Sequence, residues 1–455
     1  MKRNVFTPIA IALLLISIFS ALPLVTARAP VIVTAGDFYA TPFCMQADDF
    51  QVNGAYPPGK TFTDFVGGIV AFDQDMIDVE QIAHPQNKWY GRGIHVAVLD
   101  TGMLPNWNYF FPKSRIDADL GIGFVQDLET GEITAVPWDD AVSGHGTHVA
   151  STIIGYNYHG YPITGVAPLA KIIPVKVLSF YDYDEWVAWG TSGMVAAGID
   201  YITSLVESGV LEPGKVIINM SLGALVPMAE VEEAIDRAIA AGVIVVAAAG
   251  NAGLDGMDYP GAYPQVISAG AAGWTGQWWP DGNYGFWLED VPEDLMTLAP
   301  ASIWFGTYAG TQTYMTYYSG WELPGQDLDV AAPGSWCLGP FWDPYYGDLP
   351  EDPEDCYWYV GGTSMAAPHV AGTAALMAEK KGRKLVQSEV EAILESTAEI
   401  DPLTFYNPWI GGPYMAIYML YDAGLYWTEW DDPAVGAGLL QTDAAVEAVA
   451  ALEPN

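Results

Sequence analysis

The segment GGTSMAAPHVAG, residues 361–372, predicts a helix that packs closely against the rest of the fold. Small apolar residues recur in this segment and just beyond it at a four-residue step, which places them in one narrow stripe along a helix. These residues are Ala366, Val370, Ala374 and Ala378. Because a stripe of small side chains lets a helix approach its neighbour closely, we expect a buried helix here.

A single serine, Ser364, stands at the start of this helix. Thr363 is expected to cap the helix, and Pro368 lies near the helix start, where a missing N–H group costs less than in mid-helix. An oxyanion beside Ser364 would meet unpaired N–H groups and the positive end of the helix dipole. Two interpretations follow: Ser364 belongs to the cap, or it is a nucleophile.

Short apolar runs bounded by turn residues indicate buried parallel strands. They span residues 94–100, 171–178, 215–223, 242–251, 265–272 and 327–334. Helical patterns lie between several of these runs, so strands and helices alternate, which predicts an α/β domain with right-handed crossovers. Ligands of such domains bind beyond the carboxyl ends of the strands, where Asp100, residues 219–223 and Asn251 stand.

Two histidines lie in the segment SGHGTHVAST, where glycines flank His145 and a helix follows. His145 and His148 have the spacing of a metal pair, but no glutamate lies between them and no third ligand is evident, so a metal site is not favoured. Asp100 at a strand end, His145 at one helix start and Ser364 at another provide an orienting carboxylate, a base and a nucleophile. The sequence therefore favours nucleophilic catalysis.

Seven segments resemble, in order, the subtilisin-like serine proteases: VAVLDTG, GHGTHVAST, GVAP, INMSLG, VVAAAGNAG, DVAAPG and GGTSMAAPHVAG. The resemblance extends from about Pro85 to about Val449. It implies the subtilisin-like three-layer α/β fold, in which helices flank a mostly parallel central sheet. It also implies a serine endopeptidase that hydrolyses peptide bonds through an acyl-enzyme intermediate and requires no cofactor for the chemistry.

The resemblance implies a role for each site residue. Asp100 would hold the imidazole of His145 in the useful tautomer, and His145 would take the proton from Ser364. Asn251 would donate its side-chain amide to the oxyanion, together with the backbone N–H of Ser364, and His148 would be structural.

The same resemblance places a substrate cleft between two segments. Its walls would be Ser221, Leu222 and Gly223 on one side and Ala248, Ala249 and Gly250 on the other. Protein or peptide substrates would lie extended in this cleft and add themselves as a strand. The segment near Tyr183 to Val187 would form the other edge of the cleft. Asp182, Asp184 and Glu185 make it acidic, and these acids either favour basic residues in substrates or are simply solvated.

The charge balance restricts the partners of this chain. Lys and Arg number 16 against 55 Asp and Glu, which gives a net charge of −39 and excludes nucleic acid and anionic membrane surfaces. A chain with few cations also avoids strong positive self-repulsion when its carboxylates take up protons. We therefore hypothesise acid tolerance; a well-solvated surface is the alternative.

The N-terminus predicts export. Lys2 and Arg3 precede an apolar run, residues 9–25, and an Ala-Arg-Ala site at 27–29, which together predict a signal peptide over residues 1–29 and a secreted or cell-surface protein. An uncleaved anchor is the alternative, although about 17 residues are few for a membrane span. Residues 30–84 would form an N-terminal extension or short propeptide, and residues 85–455 the peptidase domain. The oligomeric state and any surface attachment are not fixed by these patterns.

Cys337 and Cys356 lie 19 positions apart and flank an acidic, Pro-rich loop, so they predict a disulfide, with Cys44 left over. The chain has no Cys-x-x-Cys pair, so zinc and iron–sulfur sites are not supported. Many members of the resembled family hold calcium in the loop that corresponds to residues 156–168. His159 stands there where an oxygen ligand is expected, so structural calcium is not assigned to a site.

Aromatic, turn-rich insertions interrupt the pattern near residues 274–325, 336–358 and 403–432. We interpret them as elaborations packed on the domain. Binding of carbohydrate or a partner is the alternative, and a catalytically silent relative that serves as a binding module is the corresponding alternative function. The insertions also leave open a processing protease with restricted specificity.

Overall fold

The computed structural model describes residues 30–35, 39–42, 62–79, 89–274, 313–316, 318–382, 384–399, 406–407, 412–413 and 435–452. The predicted signal peptide, Cys44 and most of the insertions near 274–325 and 403–432 lie outside these residues. No helix within the described ranges is long and apolar enough to cross a membrane.

The strands of the described residues are β1 (Ile32–Thr34), β2 (Tyr39–Pro42), β3 (His95–Asp100), β4 (Ile122–Gln126), β5 (Ile133–Val136), β6 (Tyr156–Tyr158), β7 (Tyr161–Ile163), β8 (Lys171–Lys176), β9 (Phe180–Asp182), β10 (Val187–Thr191), β11 (Val216–Met220), β12 (Ile244–Ala248), β13 (Ile267–Trp274), β14 (Thr313–Met315), β15 (Val330–Pro333), β16 (Cys337–Pro340), β17 (Tyr357–Gly361), β18 (Tyr406–Asn407) and β19 (Gly412–Pro413). The α-helices are α1 (Phe72–Asp75), α2 (Trp107–Phe110), α3 (His145–Ile154), α4 (Ser192–Glu207), α5 (Ala229–Ala241), α6 (Thr363–Lys381), α7 (Gln387–Thr397) and α8 (Thr442–Ala448).

Nine of these strands form the central sheet, in the order β14-β13-β12-β11-β3-β8-β4-β5, with β15 paired to β13. Pairing is parallel from β4 through β8, β3, β11, β12 and β13 to β15, and antiparallel only where β5 and β14 join. The predicted apolar runs therefore form buried parallel strands, as a sheet covered on both faces requires.

Helices cover both faces of the sheet. Along β3, Val96 and Val98 belong to the core under α3 and α6, whereas Ala97 and Leu99 belong to the core under α4 and α5. This alternation follows from the two-residue period of a strand. The three-layer α/β fold predicted from the sequence is confirmed.

Helix α6 lies as close to its neighbours as its small residues predict. A Cβ atom added at Gly372 would stand 2.6 Å from the Cβ of Val166, so no larger residue fits there without displacement. The helix packs against β11 and β12. Because β3, β11 and β12 run parallel, their carboxyl ends meet at one edge of the sheet, beside the start of α6.

The disulfide between Cys337 and Cys356 was a wrong prediction, because both are free, buried cysteines. Cys337 begins β16 and pairs with Val360 of the antiparallel strand β17, whereas Cys356 precedes β17 and its carbonyl accepts a hydrogen bond from Phe341. Four residues of extended chain, about 13 Å, therefore separate the two positions along the ribbon. The hairpin itself, not a covalent staple, holds the acidic loop.

Three carboxylates form a cluster between β15 and α7. One oxygen each from Asp329, Glu391 and Glu395 lies within 4.8 Å of the others. Asp329 is 2% exposed and accepts hydrogen bonds from the backbone N–H and hydroxyl of Ser268. Burial raises the pKa of Asp329 to about 8, and burial also raises the pKa values of Glu391 and Glu395.

We predict that the fold is more stable in mild acid than at alkaline pH. Because the folded protein raises these pKa values, it keeps protons that the unfolded chain releases; the stabilisation is full below the ordinary aspartate pKa of 3.8 and is lost as the pH rises toward about 8. The unfolding midpoint should therefore be higher at pH 5 than at pH 8. Asp329→Asn should reduce that difference. The control Asp348→Asn, at an exposed position, should leave it unchanged. A wild-type midpoint that is higher at pH 8 would contradict the assignment.

Candidate active site

A buried Asp–His pair stands at the carboxyl end of β3. Nδ1 of His145 lies 2.8 and 2.9 Å from the two carboxylate oxygens of Asp100, and both side chains are fully buried. A buried carboxylate is costly unless it is paired, so this contact fixes the ring of His145. With its proton on Nδ1, the imidazole presents an unprotonated Nε2, the form that accepts a proton from a nucleophile.

Thr101 positions this pair, which the sequence reasoning missed. Its backbone N–H donates to Asp100 Oδ1 over 2.6 Å, and its hydroxyl accepts from the N–H of Gly146 and donates to the carbonyl of Ser143. One threonine thus links the carboxylate to the first turn of α3. The sequence could have indicated this role, because Thr101 directly follows Asp100 in LDTG.

Gly146 allows the helix to approach this closely. A Cβ atom there would lie 2.4 Å from the carbonyl oxygen of Gly102 and 3.1 Å from Oδ1 of Asp100. The glycine after His145 is therefore required for the Asp–His contact rather than for flexibility.

Ser364 lies in the first turn of α6 and is 1% exposed. The helix begins one residue earlier than expected, because Gly362 is the N-cap and Thr363 is already helical. The Ser364 hydroxyl is 3.0 Å from the carbonyl oxygen of Ala35 and 3.2 Å from that of Ser221. Backbone carbonyls from two distant parts of the chain therefore surround Oγ.

Asn251 is oriented by Thr363. Its Oδ1 accepts hydrogen bonds from the backbone N–H of Thr363, at 2.9 Å, and from the Thr363 hydroxyl, at 3.0 Å. Since the amide oxygen faces Thr363, the amide NH2 is directed away from it. The Thr363 hydroxyl also accepts from the N–H of Gly250, which ties the end of β12 to the start of α6.

The two predicted cleft walls lie at the same edge of the sheet. Ser221 follows β11 and donates its hydroxyl to the carbonyl of Ser364 over 2.7 Å, while Asn219 donates to the Ser221 hydroxyl. Residues 248–250 continue from the neighbouring strand β12, which pairs in parallel with β11. Ser221–Gly223 and Ala248–Gly250 therefore flank the start of α6.

The chain's own strand β1 lies in this cleft. It pairs antiparallel with β10, and Thr34 exchanges both backbone hydrogen bonds with Gly223. Val33 is fully buried while Ile32 is 47% exposed, so the strand binds through one face. A three-residue strand gives too short a periodic pattern to be recognised from sequence.

The other side of the nucleophile is also occupied by this chain. Strand β2 pairs antiparallel with β17, and its first residue, Tyr39, stands opposite Gly361, three residues before Ser364. Strands β1 and β2 lie on either side of the interval 36–38. The first pairs with β10, and the second pairs with β17, the strand that precedes Ser364.

A backbone carbonyl holds the ring of His148. Its Nε2 lies 3.0 Å from the carbonyl oxygen of Cys337, and burial lowers its pKa to about 3. The ring is therefore neutral and donates from Nε2, while His145 is committed to Asp100. Nε2 of His148 therefore pairs with a backbone carbonyl, and Nδ1 of His145 pairs with Asp100.

Residues 156–163, in the loop where many family members hold calcium, form the β6–β7 hairpin. His159, at its turn, has a φ of 45° and places Nδ1 3.5 Å from a carboxylate oxygen of Glu354. The Asn157 side chain accepts from the N–H of Gly160. Both side chains of the turn are therefore bound to protein partners.

Aromatic residues join the acidic edge of the cleft to the 336–358 insertion. The exposed rings of Trp186 and Tyr345 stack with centroids 3.9 Å apart, and the Tyr181 hydroxyl donates to Asp343 Oδ1 over 2.5 Å. Burial raises the pKa of Asp343. Asp182 accepts hydrogen bonds from the N–H groups of Asp184 and Glu185. Here the aromatic residues pack on one another, as interpreted from the sequence.

Known proteins resemble this chain in sequence. The model of the Subtilase family matches residues 91–435. Thermitase of Thermoactinomyces vulgaris is 29% identical over 309 residues, which cover 68% of this chain and 82% of thermitase. The major intracellular serine protease of Bacillus subtilis (strain 168) is 32% identical over 328 residues, which cover 68% of this chain and 78% of that protein.

A solved structure shows the same fold. Fervidolysin from Fervidobacterium pennivorans, a keratinolytic enzyme related to subtilisin, superposes with a TM-score of 0.57 at 24% identity. The match covers 92% of this chain and 51% of fervidolysin, so this chain spans about half of that one.

The matched residues contain the buried Asp100–His145 pair, Asn251 and Ser364 on the expected framework, and the chain is a member of the subtilase family of serine endopeptidases.

Proposed function

We propose that Ser364 is the nucleophile, His145 the general base and Asp100 the group that orients it. His145 Nε2 takes the proton of the Ser364 hydroxyl as Oγ attacks the carbonyl carbon of the scissile bond. The tetrahedral intermediate collapses when His145 returns the proton to the leaving amine, which breaks the C–N bond and leaves an ester on Ser364. Water, deprotonated by His145, then attacks the ester carbonyl, and His145 returns the proton to Oγ as the C–O bond breaks, which releases the acid and restores Ser364.

The Asp100–His145 contact is the observation that carries this assignment. Its Nδ1-to-carboxylate geometry leaves Nε2 as the basic nitrogen and stabilises the imidazolium that forms. Asn251, whose amide NH2 is turned away from Thr363, and the backbone N–H of Ser364 donate to the oxyanion.

We predict that Ser364→Ala abolishes hydrolysis of an unfolded protein substrate and that Asn251→Ala lowers kcat about 100- to 1000-fold, because one oxyanion donor is lost. Both rates are measured with a fluorogenic casein at constant enzyme concentration. Ser396→Ala, which removes a hydroxyl on α7 that donates only to the carbonyl of Ile393, is the matched control and should retain full activity. Equal rates for wild type and Ser364→Ala would favour the alternative of a catalytically silent binding module.

We further propose that the N-terminal extension, residues 30–84, keeps the cleft occupied. Strand β1 pairs with β10 and Gly223 in the manner of an extended peptide that adds itself as a strand, and the Ala35 carbonyl lies beside the nucleophile. A tethered strand has a high effective concentration, so it competes strongly with free substrate.

We predict that Val33→Asp activates the enzyme. It places a charge at a fully buried position of β1 and should dislodge the strand, whereas Ile32→Asp, one residue earlier on the exposed face, should not. The rate of labelling by a fluorophosphonate should rise in the first variant only. Equal labelling rates for Val33→Asp, Ile32→Asp and wild type would show that the strand does not obstruct Ser364.

Export is part of the proposal. The basic start, the apolar run at 9–25 and the Ala-Arg-Ala site at 27–29 support a secreted or cell-surface enzyme that acts on proteins or peptides. Sequencing the N-terminus of the protein recovered from the medium of an expressing culture tests it.

A further inference from the structure

A second part of the N-terminal extension, residues 69–79, lies in the core of the domain. The side chains of Phe72, Met76 and Ile77 are buried in the hydrophobic cluster under α3 and α6. The carbonyl of Ile77 also accepts a hydrogen bond from the N–H of Thr442 in α8. Unlike β1, which lies in the cleft, this segment is therefore built into the fold.

The segment places a buried carboxylate against helix α6. Asp73 of α1 is 3% exposed, and its Oδ2 lies 3.4 Å from Nε2 of the fully buried His369. The side-chain amide of Gln74 donates to the same oxygen over 2.9 Å. Burial, together with the charge of Asp73 and a hydrogen bond to it, raises the pKa of Cys337, so this thiol keeps its proton beside the carboxylate. Groups from α1, α6 and β16 thus surround Asp73, as a buried charge requires.

His369 in turn holds the first turn of α6. Its Nδ1 lies 2.8 Å from the carbonyl oxygen of Met365, the residue after Ser364. Because a carbonyl oxygen only accepts hydrogen bonds, Nδ1 carries a proton and donates it. The contact between Nε2 and the carboxylate of Asp73 requires a second proton, held by either partner. The carboxylate therefore fixes the orientation of the ring, and the ring fixes the carbonyl of Met365.

The first turn of α6 depends on such side-chain contacts because Pro368 lies inside the helix. Proline has no N–H group, so the carbonyl of Ser364, four residues earlier, has no helical donor. The hydroxyl of Ser221 donates to that carbonyl instead, over 2.7 Å. Contacts to two successive carbonyls, those of Ser364 and Met365, therefore set the position of the turn that carries Oγ.

Accepting the function proposed above, we infer that Asp73 is a positioning residue for Ser364 and acts through His369. Without the carboxylate, the imidazole is free to turn away from Met365, and Oγ shifts relative to Nε2 of His145. A displacement of about 1 Å at a reacting atom lowers a rate about 100-fold. The two parts of the extension then have different roles, since residues 30–35 occupy the cleft and residues 69–79 support the nucleophile.

The test compares full-length wild type with Asp73→Ala, Asp73→Asn and Ile77→Ala, using a fluorogenic peptide at a temperature well below every unfolding midpoint. Asp73→Ala should lower kcat per active site about 10- to 100-fold and leave KM unchanged, because the cleft walls do not move. Asp73→Asn should restore most of kcat, since its amide donates to an unprotonated Nε2 while Nδ1 keeps its proton.

Ile77→Ala is the matched control for packing. It removes a fully buried side chain from the same segment, so it should lower the unfolding midpoint and keep the wild-type kcat. An unchanged kcat in Asp73→Ala would overturn the inference. So would a loss of kcat in Ile77→Ala as large as the loss in Asp73→Ala, because Asp73 would then contribute only to packing.

A second measurement decides the case if Asp73→Ala does not fold. The imidazole ¹⁵N signals of His369, assigned with His369→Gln, should shift between wild type and Asp73→Asn, and identical signals would overturn the inference. Fluorophosphonate labelling gives the concentration of active sites and separates the two proposals. Absence of labelling in wild type would overturn the proposed function, whereas the comparison of variants tests Asp73 alone.

Discussion

The buried carboxylate of Asp100 is the constraint on which the site depends. Its location at the end of β3, without exposure to water, requires hydrogen-bond donors, and the surrounding chain supplies them from the Thr101 backbone and the His145 ring. To bring that ring within 2.8 Å, α3 must begin at His145 and carry glycine next to it. One electrostatic requirement thus fixes the end of a strand, the start of a helix and the tautomer of the base.

The parallel sheet brings the remaining groups to the same place. Strands β11 and β12 end at the same edge of the sheet as β3, so Ser221 and Asn251 reach the start of α6. Ser221 donates to the carbonyl of Ser364, and Asn251 accepts from Thr363, the residue before Ser364. The cleft between these ends is bordered by β10, an edge of backbone groups that pairs readily with an extended chain. In this protein β1 is the extended segment that pairs with β10. Backbone hydrogen bonding between strands therefore determines both the position of the site residues and the occupancy of the cleft.

Much of the fold and of the site could be predicted from the sequence because both depend on strong local patterns. The apolar runs gave the parallel strands, and the glycine-flanked histidine and the serine at a helix start gave the candidate triad residues that the structure brings to one edge. Strand β1 could not be recognised, since three residues carry almost no periodicity and its partner lies more than 150 positions away. The disulfide was predicted from the spacing of the cysteines and the loop between them, neither of which shows how the strands of the hairpin pair.

The most direct test of this account is to label the purified protein with a fluorophosphonate and to identify the modified residue by peptide mass spectrometry. The account predicts a single adduct, on Ser364, which disappears when His145 is replaced by alanine because the nucleophile then has no base. An adduct on another serine, or labelling of Ser364 that is unaffected by His145→Ala, would contradict the assignment of the Asp100–His145 pair as the system that activates it.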